Sequence, residues 1–162
     1  MAIAFTVNGE PHSVEVPSTL SLLEILRNHL GLTGTRYGCG LEQCGCCTVL
    51  IDDQPAYACS REMGTVAGRA VTTIEGLGSA AQPHPIQQAF LDEQAGQCGY
   101  CLSGIVISAK ALLDRNPDPG RDEIVAALDR HLCRCGAHQR ILRAVERAAT
   151  ALRAAGAAGR KP

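Results

Sequence analysis

Alternating apolar positions open the chain and predict a β-hairpin. Every second residue is apolar in a first run and again in a second run, and the residues concerned are Ile3, Phe5, Val7, Val14 and Val16. Asn8 and Gly9 lie between the two runs, and this dipeptide favours the tight turn of a two-residue hairpin. The period of two therefore predicts two antiparallel strands that bury one face.

A helical period replaces this alternation between residues 18 and 29. Leu and Ile recur there at three- and four-residue spacing, and Ser21 with Glu24 resembles a capping box. Gly31 is expected to end the helix. Further strands are predicted at residues 48–51, near Tyr57 and at residues 70–74. Residues 1–76 are thus predicted to form short strands around one helix.

The apolar positions return to a helical period from residue 85 onward. Four segments show this period, at residues 85–94, 102–115, 121–132 and 137–155. We therefore expect an up-and-down four-helix bundle over residues 85–155. A stretch rich in Gly, Ala and Pro at residues 77–84 is expected to link it to the first domain. Residues 156–162 are expected to form a flexible tail.

Composition and charge exclude several classes of function. The chain has 162 residues, a formal net charge of −1 and no cluster of Lys and Arg, so the electrostatic footprint of a nucleic-acid binder is missing. No apolar run approaches the roughly 20 residues of a membrane span, and no secretory signal pattern opens the sequence. We therefore expect a cytoplasmic protein, whose nine cysteines are metal ligands rather than disulfides.

Eight of the nine cysteines form two sets with metal-ligand spacing. The first set has the pattern C-x4-C-x2-C and a more distant fourth thiol, and its members are Cys39, Cys44, Cys47 and Cys59. This spacing is typical of plant-type ferredoxins, whose four thiolates hold a 2Fe-2S cluster. Neighbouring glycines allow the backbone to wrap closely around such a cluster and to direct N–H groups at its sulfurs. A zinc site of four thiolates is the alternative interpretation.

The second set is less diagnostic by spacing alone, and its members are Cys98, Cys101, Cys133 and Cys135. The predicted bundle places the first two cysteines between helices one and two, and the last two between helices three and four. These loops lie at the same end of an up-and-down bundle, so the four thiols can converge on one ion or cluster. His131 and His138 would permit a mixed zinc site, but we expect both to be surface or packing residues.

Cys46 is the ninth thiol and lies between Cys44 and Cys47. Because those two residues already satisfy the C-x2-C spacing, we expect Cys46 to be a small packed side chain beside the cluster. A substitute ligand or a redox-active thiol is the alternative.

Three segments that contain these cysteines together resemble a known protein family. They read YGCGLEQCGCCTV at residues 37–49, QCGYC at residues 97–101 and LCRCG at residues 132–136. In this order they resemble the iron-sulfur subunit of the xanthine oxidase family of molybdenum hydroxylases, over residues 3 to about 150. Within that family the chain is similar to the small subunits of nicotinate dehydrogenase and isoquinoline 1-oxidoreductase. It departs from the family at Cys46, where Ala is usual.

The resemblance implies an α+β protein with a β-grasp ferredoxin domain and then an all-α four-helix-bundle domain. Each domain is expected to bind one 2Fe-2S cluster. The implied ligands of the outer cluster are Cys39, Cys44, Cys47 and Cys59, and those of the inner cluster are Cys98, Cys101, Cys133 and Cys135. The resemblance also implies that Gln97 and Cys135 contact the pterin of a molybdenum cofactor, molybdopterin in its cytosine dinucleotide form, on a large partner subunit.

The function implied by the resemblance is electron relay from molybdenum to a flavin subunit or a cytochrome c. The implied reaction is the hydroxylation of an N-heteroaromatic compound. An aldehyde-oxidising molybdenum enzyme and a free-standing ferredoxin-like carrier are the alternatives. The sequence contains no Gly-x-Ser-x-Gly elbow, phosphate-binding loop or His-Glu-x-x-His motif, so we expect the catalytic site to lie on another chain.

Overall fold

The computed structural model describes residues 2–158, and its first elements are the two strands of a hairpin. Strand β1 spans Ala2–Val7 and pairs antiparallel with strand β2 at Glu10–Glu15. The apolar residues of β1 face the core, as their alternation requires. Asn8 and Gly9 have φ values of 53° and 85°, the left-handed conformation of a type I′ turn. The hairpin prediction is confirmed.

Three more strands complete a mixed five-stranded sheet. They are β3 at Thr48–Ile51, β4 at Gln54–Tyr57 and β5 at Ala70–Thr72. The order across the sheet is β2, β1, β5, β3, β4, with β1 and β5 parallel and the other neighbours antiparallel. Strand β5 ends two residues before the predicted boundary at residue 74, because Ile74–Gly76 forms a 3-10 turn.

The helix that packs on this sheet begins as an α-helix and continues as a π-helix. Helix α1 spans Leu22–Glu24, and the π-helical turn spans Ile25–His29. Ser21 caps it, because its hydroxyl accepts from the Glu24 N–H at 3.3 Å. Leu and Ile side chains of this helix are almost fully buried against the inner face of the sheet. Its end at His29 agrees with the predicted boundary.

Four further helices form the C-terminal part. They are α2 at Pro85–Asp92, α3 at Leu102–Arg115, α4 at Arg121–Leu128 and α5 at His138–Ala158. The prediction that α4 reaches residue 132 was wrong, because the chain turns after Leu128 and the His131 N–H donates to the Leu128 carbonyl at 2.9 Å. Helix α5 runs three residues beyond the predicted boundary at residue 155. The rest of the expected tail, residues 159–162, lies outside the described residues.

Strand β3 joins the two parts of the molecule. All four of its residues are buried, because α1 covers one face of the strand and α3 covers the other. Leu50 is 1% exposed and packs against Ile107 and Ala111 of α3. The sheet and the helices therefore share a packed junction. Among residues 2–158, no helix is both long and apolar enough to cross a bilayer.

Candidate metal centres

The first cysteine set lies where the sheet meets the loop that follows α1. Cys39 and Cys44 belong to this loop, Cys47 immediately precedes β3, and Cys59 follows β4. Cys44 and Cys47 are 8% and 2% exposed, while the other two thiols are half-buried. Strand pairing between β3 and β4 thus brings Cys59 close to Cys47.

Backbone N–H groups in this loop point at the sulfurs. The N–H groups of Leu41 and Gln43 donate to Cys39 Sγ at 3.3 and 3.2 Å, and the Cys39 N–H donates to Cys44 Sγ at 3.3 Å. The Leu41 N–H is the largest cause of a Cys39 pKa that is lowered to about 7. Hydrogen bonds of this kind stabilise a charged sulfur, so the loop suits thiolate ligands.

Burial acts in the opposite direction on the deeper thiol of this set. It raises the pKa of Cys47 to about 12, because the charged form loses its hydration. A metal ion offsets this cost, because a coordinating thiol is deprotonated outright. The contrast between Cys39 and Cys47 fits a metal centre that is partly exposed to solvent on one side and buried on the other.

The second cysteine set lies at one end of the four helices. Cys98 and Cys101 lie between α2 and α3, while Cys133 and Cys135 lie between α4 and α5. The Sγ atoms of Cys98 and Cys135 are 3.4 Å apart, although 37 positions separate them in sequence. The expectation that the two loops bring these thiols together agrees with this geometry.

Backbone donors also surround the second set. The Tyr100 N–H is the largest cause of a lowered pKa at Cys98. Burial raises the pKa of Cys133, but N–H donors led by that of Ala137 outweigh it and leave the pKa below its ordinary value. Burial raises the pKa of Cys101 to about 12. The second set thus resembles the first in combining thiols of lowered pKa with a buried thiol of raised pKa.

The thiols of each set are arranged as two pairs. The Sγ atoms of Cys98 and Cys135 lie 3.4 Å apart. Thiol–thiol hydrogen bonds affect the pKa values in Cys39 with Cys44, Cys47 with Cys59, and Cys101 with Cys133, and the ninth thiol, Cys46, also contacts Cys44 in this way. In residues 2–158, no three Cys, His, Asp or Glu side chains converge closely enough to surround a single ion. Each iron of a 2Fe-2S cluster binds two protein thiolates in addition to its bridging sulfides. Two pairs per set therefore match the ligands of one such cluster.

Cys46 lies on the side of the first loop that faces the helices. It is 6% exposed and packs in the helical core, and its Sγ donates to the Cys44 carbonyl at 3.9 Å. Burial raises its pKa to about 12. These observations agree with the expectation of a small packed side chain near the cluster ligands.

His131 lies between the two cysteine sets and is buried, with 8% exposure. Its Nε2 is 2.7 Å from Ser108 Oγ of α3, and within the described chain its Nδ1 has no hydrogen-bond partner. Burial lowers the pKa of His131 to about 4, and the Gly45 carbonyl opposes this shift without reaching hydrogen-bond geometry. The imidazole is therefore neutral and serves as an internal packing group, as expected for a histidine outside the ligand sets.

Gln97 and Cys135 are in contact at the exposed edge of the second set. The side-chain amide of Gln97 donates to the Cys135 carbonyl at 2.9 Å. Gln97 is exposed, and Cys135 is half-buried. The two residues therefore share one accessible edge of the second set.

Sequence reasoning missed the residues that connect the two loops. The Tyr100 hydroxyl donates to the Tyr37 carbonyl, and the Arg36 guanidinium lies 5.4 Å from the centroid of the Tyr100 ring. Ser108 and Gly104 of α3 contact His131 and the first cysteine loop. Only Gly104 left a signal, because a glycine inside a helical pattern often marks close backbone approach.

Two family descriptions match the chain in the same order as its two parts. Residues 5–68 match the family described as a 2Fe-2S iron-sulfur cluster binding domain. Residues 73–146 match the family described as a 2Fe-2S binding domain. The matches confirm the predicted fold class and the presence of two 2Fe-2S binding domains.

Relatives match over nearly their whole length. One subunit of nicotinate dehydrogenase from Pseudomonas putida is 56% identical, over 91% of this chain and 94% of that protein. The alpha subunit of isoquinoline 1-oxidoreductase from Brevundimonas diminuta is 49% identical, over 91% of this chain and 97% of that protein. A chain of quinoline 2-oxidoreductase from Pseudomonas putida superposes with a TM-score of 0.90 at 36% identity, covering 94% of this chain and 96% of that one. The chain therefore belongs to the iron-sulfur small subunits of the xanthine oxidase family of molybdenum hydroxylases.

Proposed function

We propose that this chain is the electron-transfer subunit of a molybdenum hydroxylase. It relays electrons from the molybdenum cofactor of a large partner subunit to a flavin subunit or a cytochrome c. The observation that carries the proposal is the arrangement of eight thiols as two sets of paired ligands in one packed molecule. When bound, the clusters supply one-electron redox chemistry, while the protein sets their spacing, hydration and potential.

Two four-thiol sets are the proposed cluster ligands. We assign the outer cluster to Cys39, Cys44, Cys47 and Cys59, and the inner cluster to Cys98, Cys101, Cys133 and Cys135. The N–H groups that donate to sulfur and the pairing of the thiols support this assignment. Cys46 is not a ligand in this proposal, because its neighbours already complete the first set.

The inner end of the relay is the exposed edge that carries Gln97 and Cys135. We propose that these residues contact the pterin of the partner's cofactor, which is molybdopterin in its cytosine dinucleotide form. Their mutual hydrogen bond and the exposure of Gln97 support this role, because the pair forms an accessible polar contact beside the second set. The large subunit then covers the cysteine end of the helices.

The substrates of the related enzymes support a proposal for the substrate class. Nicotinate, isoquinoline and quinoline are all N-heteroaromatic compounds, and we propose the same class for the enzyme that contains this chain. We place the enzyme in the cytoplasm. This location is supported by the nine cysteines within residues 2–158, which are all free thiols, because a reducing compartment keeps cysteines unpaired.

Metal analysis of the complex from its native host tests the proposal. We expect iron and acid-labile sulfide sufficient for two 2Fe-2S clusters per chain, and a co-purifying larger chain that contains molybdenum. Electron paramagnetic resonance of the dithionite-reduced complex is expected to show two distinct signals. One signal would favour a free-standing carrier, while a colourless protein would favour zinc. Either result, or recovery as a fully metallated monomer, would refute the proposal.

A further inference from the structure

A cavity separate from both cysteine sets lies between the outer side of the sheet and helices α3 and α4. Its volume is about 350 Å³, at the low end of the roughly 300–1,000 Å³ that is typical of ligand pockets. Among residues 2–158, no cysteine lines it. The polar and charged side chains that line it are Thr48, Tyr57, Ser108, Arg115, Arg130 and His131. The cavity therefore has the size of a site for a small molecule.

The charged side chains of this cavity are both cationic. Arg115 ends α3 and Arg130 follows α4, whereas no Asp or Glu in the described part of the chain lines the cavity. Within residues 2–158, neither guanidinium group takes part in an ion pair, although other arginines such as Arg121 and Arg153 do. Two like charges beside one cavity repel each other, and a bound anion would relieve this repulsion. The cavity therefore lacks a negative charge that would complement its own side chains.

The ring of Tyr57 orients the Arg130 guanidinium. The central carbon of this group lies 5.6 Å from the ring centroid, within the range of a cation–π contact. A guanidinium that stacks through its flat face keeps the N–H groups along its edge free, and these groups can form two parallel hydrogen bonds to a carboxylate or phosphate. Arg130 and Arg115 are both exposed, so an ion in solution can reach them.

The deeper wall of the cavity is polar but uncharged. His131 Nε2 lies 2.7 Å from Ser108 Oγ, and both residues are 8% exposed. The imidazole is neutral, so this pair adds no charge of either sign. The attraction for an anion must therefore come from the two arginines, which makes them the residues to test.

We propose that this cavity binds a small oxyanion from solution, the phosphate or carboxylate group of a metabolite, between Arg115 and Arg130. Arg130 provides paired hydrogen bonds from the edge of its guanidinium, and Arg115 provides the second positive charge. The site goes beyond the proposed relay function and does not depend on it. Because the ligand would contact helix α3 and the arginine that stacks on strand β4, its binding should stabilise the junction between the two parts of the molecule.

An acidic side chain of a partner subunit is the other occupant with the same chemistry. It would pair with the exposed arginines at the surface and would exclude phosphate from the assembled complex. The observation that favours an ion from solution is the depth of the cavity, which extends inward to the buried side chains of Ser108 and His131. Measurements on the intact complex separate the two occupants.

Equilibrium dialysis of the intact complex against radiolabelled inorganic phosphate, at fixed ionic strength, tests the site. Phosphate bound to this cavity is the difference between the unmodified complex and the double variant Arg115→Gln/Arg130→Gln, because any phosphate held by the partner subunit cancels. We expect this difference to be a single phosphate per copy of the chain. Each single glutamine variant should raise the Kd for phosphate about tenfold. Succinate should displace the phosphate, whereas chloride should not.

Two control variants distinguish a specific site from general attraction to surface charge. Arg130→Lys keeps the charge but cannot form the paired hydrogen bonds, so it should weaken phosphate binding nearly as much as Arg130→Gln. Arg140→Gln removes a cation of α5 that does not line the cavity, so it should leave the Kd unchanged.

Ala126→Glu tests the site while both arginines stay in place. Ala126 is an exposed residue of α4 that lines the cavity, so the new carboxylate should pair with the arginines and prevent phosphate binding. Unchanged binding in Ala126→Glu or Arg130→Lys would overturn the inference, as would equal weakening by Arg140→Gln. If the unmodified complex binds no more phosphate than the double variant, the site for a free ion is refuted and an acidic side chain of the partner is favoured.

Discussion

Local hydrogen bonding and burial give cysteines of the same set different pKa values. Cys39 has a pKa lowered to about 7 because the Leu41 N–H donates to its sulfur, whereas burial raises the pKa of Cys47 to about 12. Both belong to the same proposed ligand set. The spacing of the cysteines predicted the set, but the backbone donors and the burial that separate these two pKa values can be seen only in the folded loop.

His84 is expected to make the stability of the protein depend on pH. Its Nδ1 accepts from the Ile86 N–H at 3.2 Å and caps α2. Burial, then Lys110, lowers its pKa below the ordinary 6.5, and Asp114 opposes the shift. The folded protein therefore binds fewer protons at this site than the unfolded chain. Stability from this group is present above pH 6.5 and decreases as the pH falls toward the folded pKa.

The variant that tests this linkage is His84→Asn, which keeps an acceptor for the helix cap but does not titrate. We expect its urea midpoint to fall less than that of the unmodified chain between about pH 7 and about pH 5. The difference between the two proteins isolates His84 from other histidines. Parallel pH profiles would show that the His84 cap does not contribute.

Hydrophobic periodicity identified most elements, and long-range contacts decided where they end. The alternation in β1 predicted that strand, and the helical period of α3 gave that helix its correct bounds, Leu102–Arg115. The end of α4 at Leu128 was missed, because it depends on the burial of His131 against Ser108 rather than on local propensity. The relation between the two cysteine loops was equally hidden, since the sequence does not show which face of α3 meets the first domain.

A substitution at Gly104 tests how closely helix α3 packs against the first cysteine loop. Alanine normally stabilises a helix interior relative to glycine, but here its Cβ would clash with the backbone of Gly45. We expect Gly104→Ala to lower the free energy of unfolding by about 1–3 kcal/mol, because backbone atoms must move to relieve the overlap. Urea unfolding of the purified chain under anaerobic conditions measures the change.

The matched control is Gly156→Ala in α5, where the new Cβ meets no atom within 4 Å. We expect it to raise the free energy of unfolding by about 0.5–1 kcal/mol through helix propensity. If both alanines were stabilising, the close approach of α3 to the first cysteine loop would be contradicted.

The two cysteine sets lie at different positions in one packed molecule. The first set lies beside exposed apolar residues, Leu41 at 70% and Tyr37 at 59% exposure. The second lies beside Gln97 and Tyr100 at the end of the helices, and Tyr100 is 46% exposed. Tyr37 and Tyr100 contact each other, so the separate accessible positions that a relay between two partners requires are marked by Leu41 beside the first set and Gln97 beside the second.

Replacing Cys135 by Ser tests the division between the centres. We expect Cys135→Ser to alter or remove the inner-cluster signal in electron paramagnetic resonance and to leave the outer signal unchanged, because serine replaces a thiolate of the second set only. The control is Cys46→Ser, which should retain both signals. Loss of the outer signal alone in Cys135→Ser would reverse the assignment of the two centres.

The double covering of β3 also limits how the molecule can be divided. A fragment that ended before α3 would leave Leu50 without its neighbours Ile107 and Ala111. The outer side of the sheet and the first cysteine loop would then expose apolar side chains that are now buried, Leu50 at 1% and Cys46 at 6% exposure, and uncovered apolar surface favours self-association. The ferredoxin-like half is consequently expected to be poorly behaved when expressed by itself, unlike a carrier that evolved to diffuse alone.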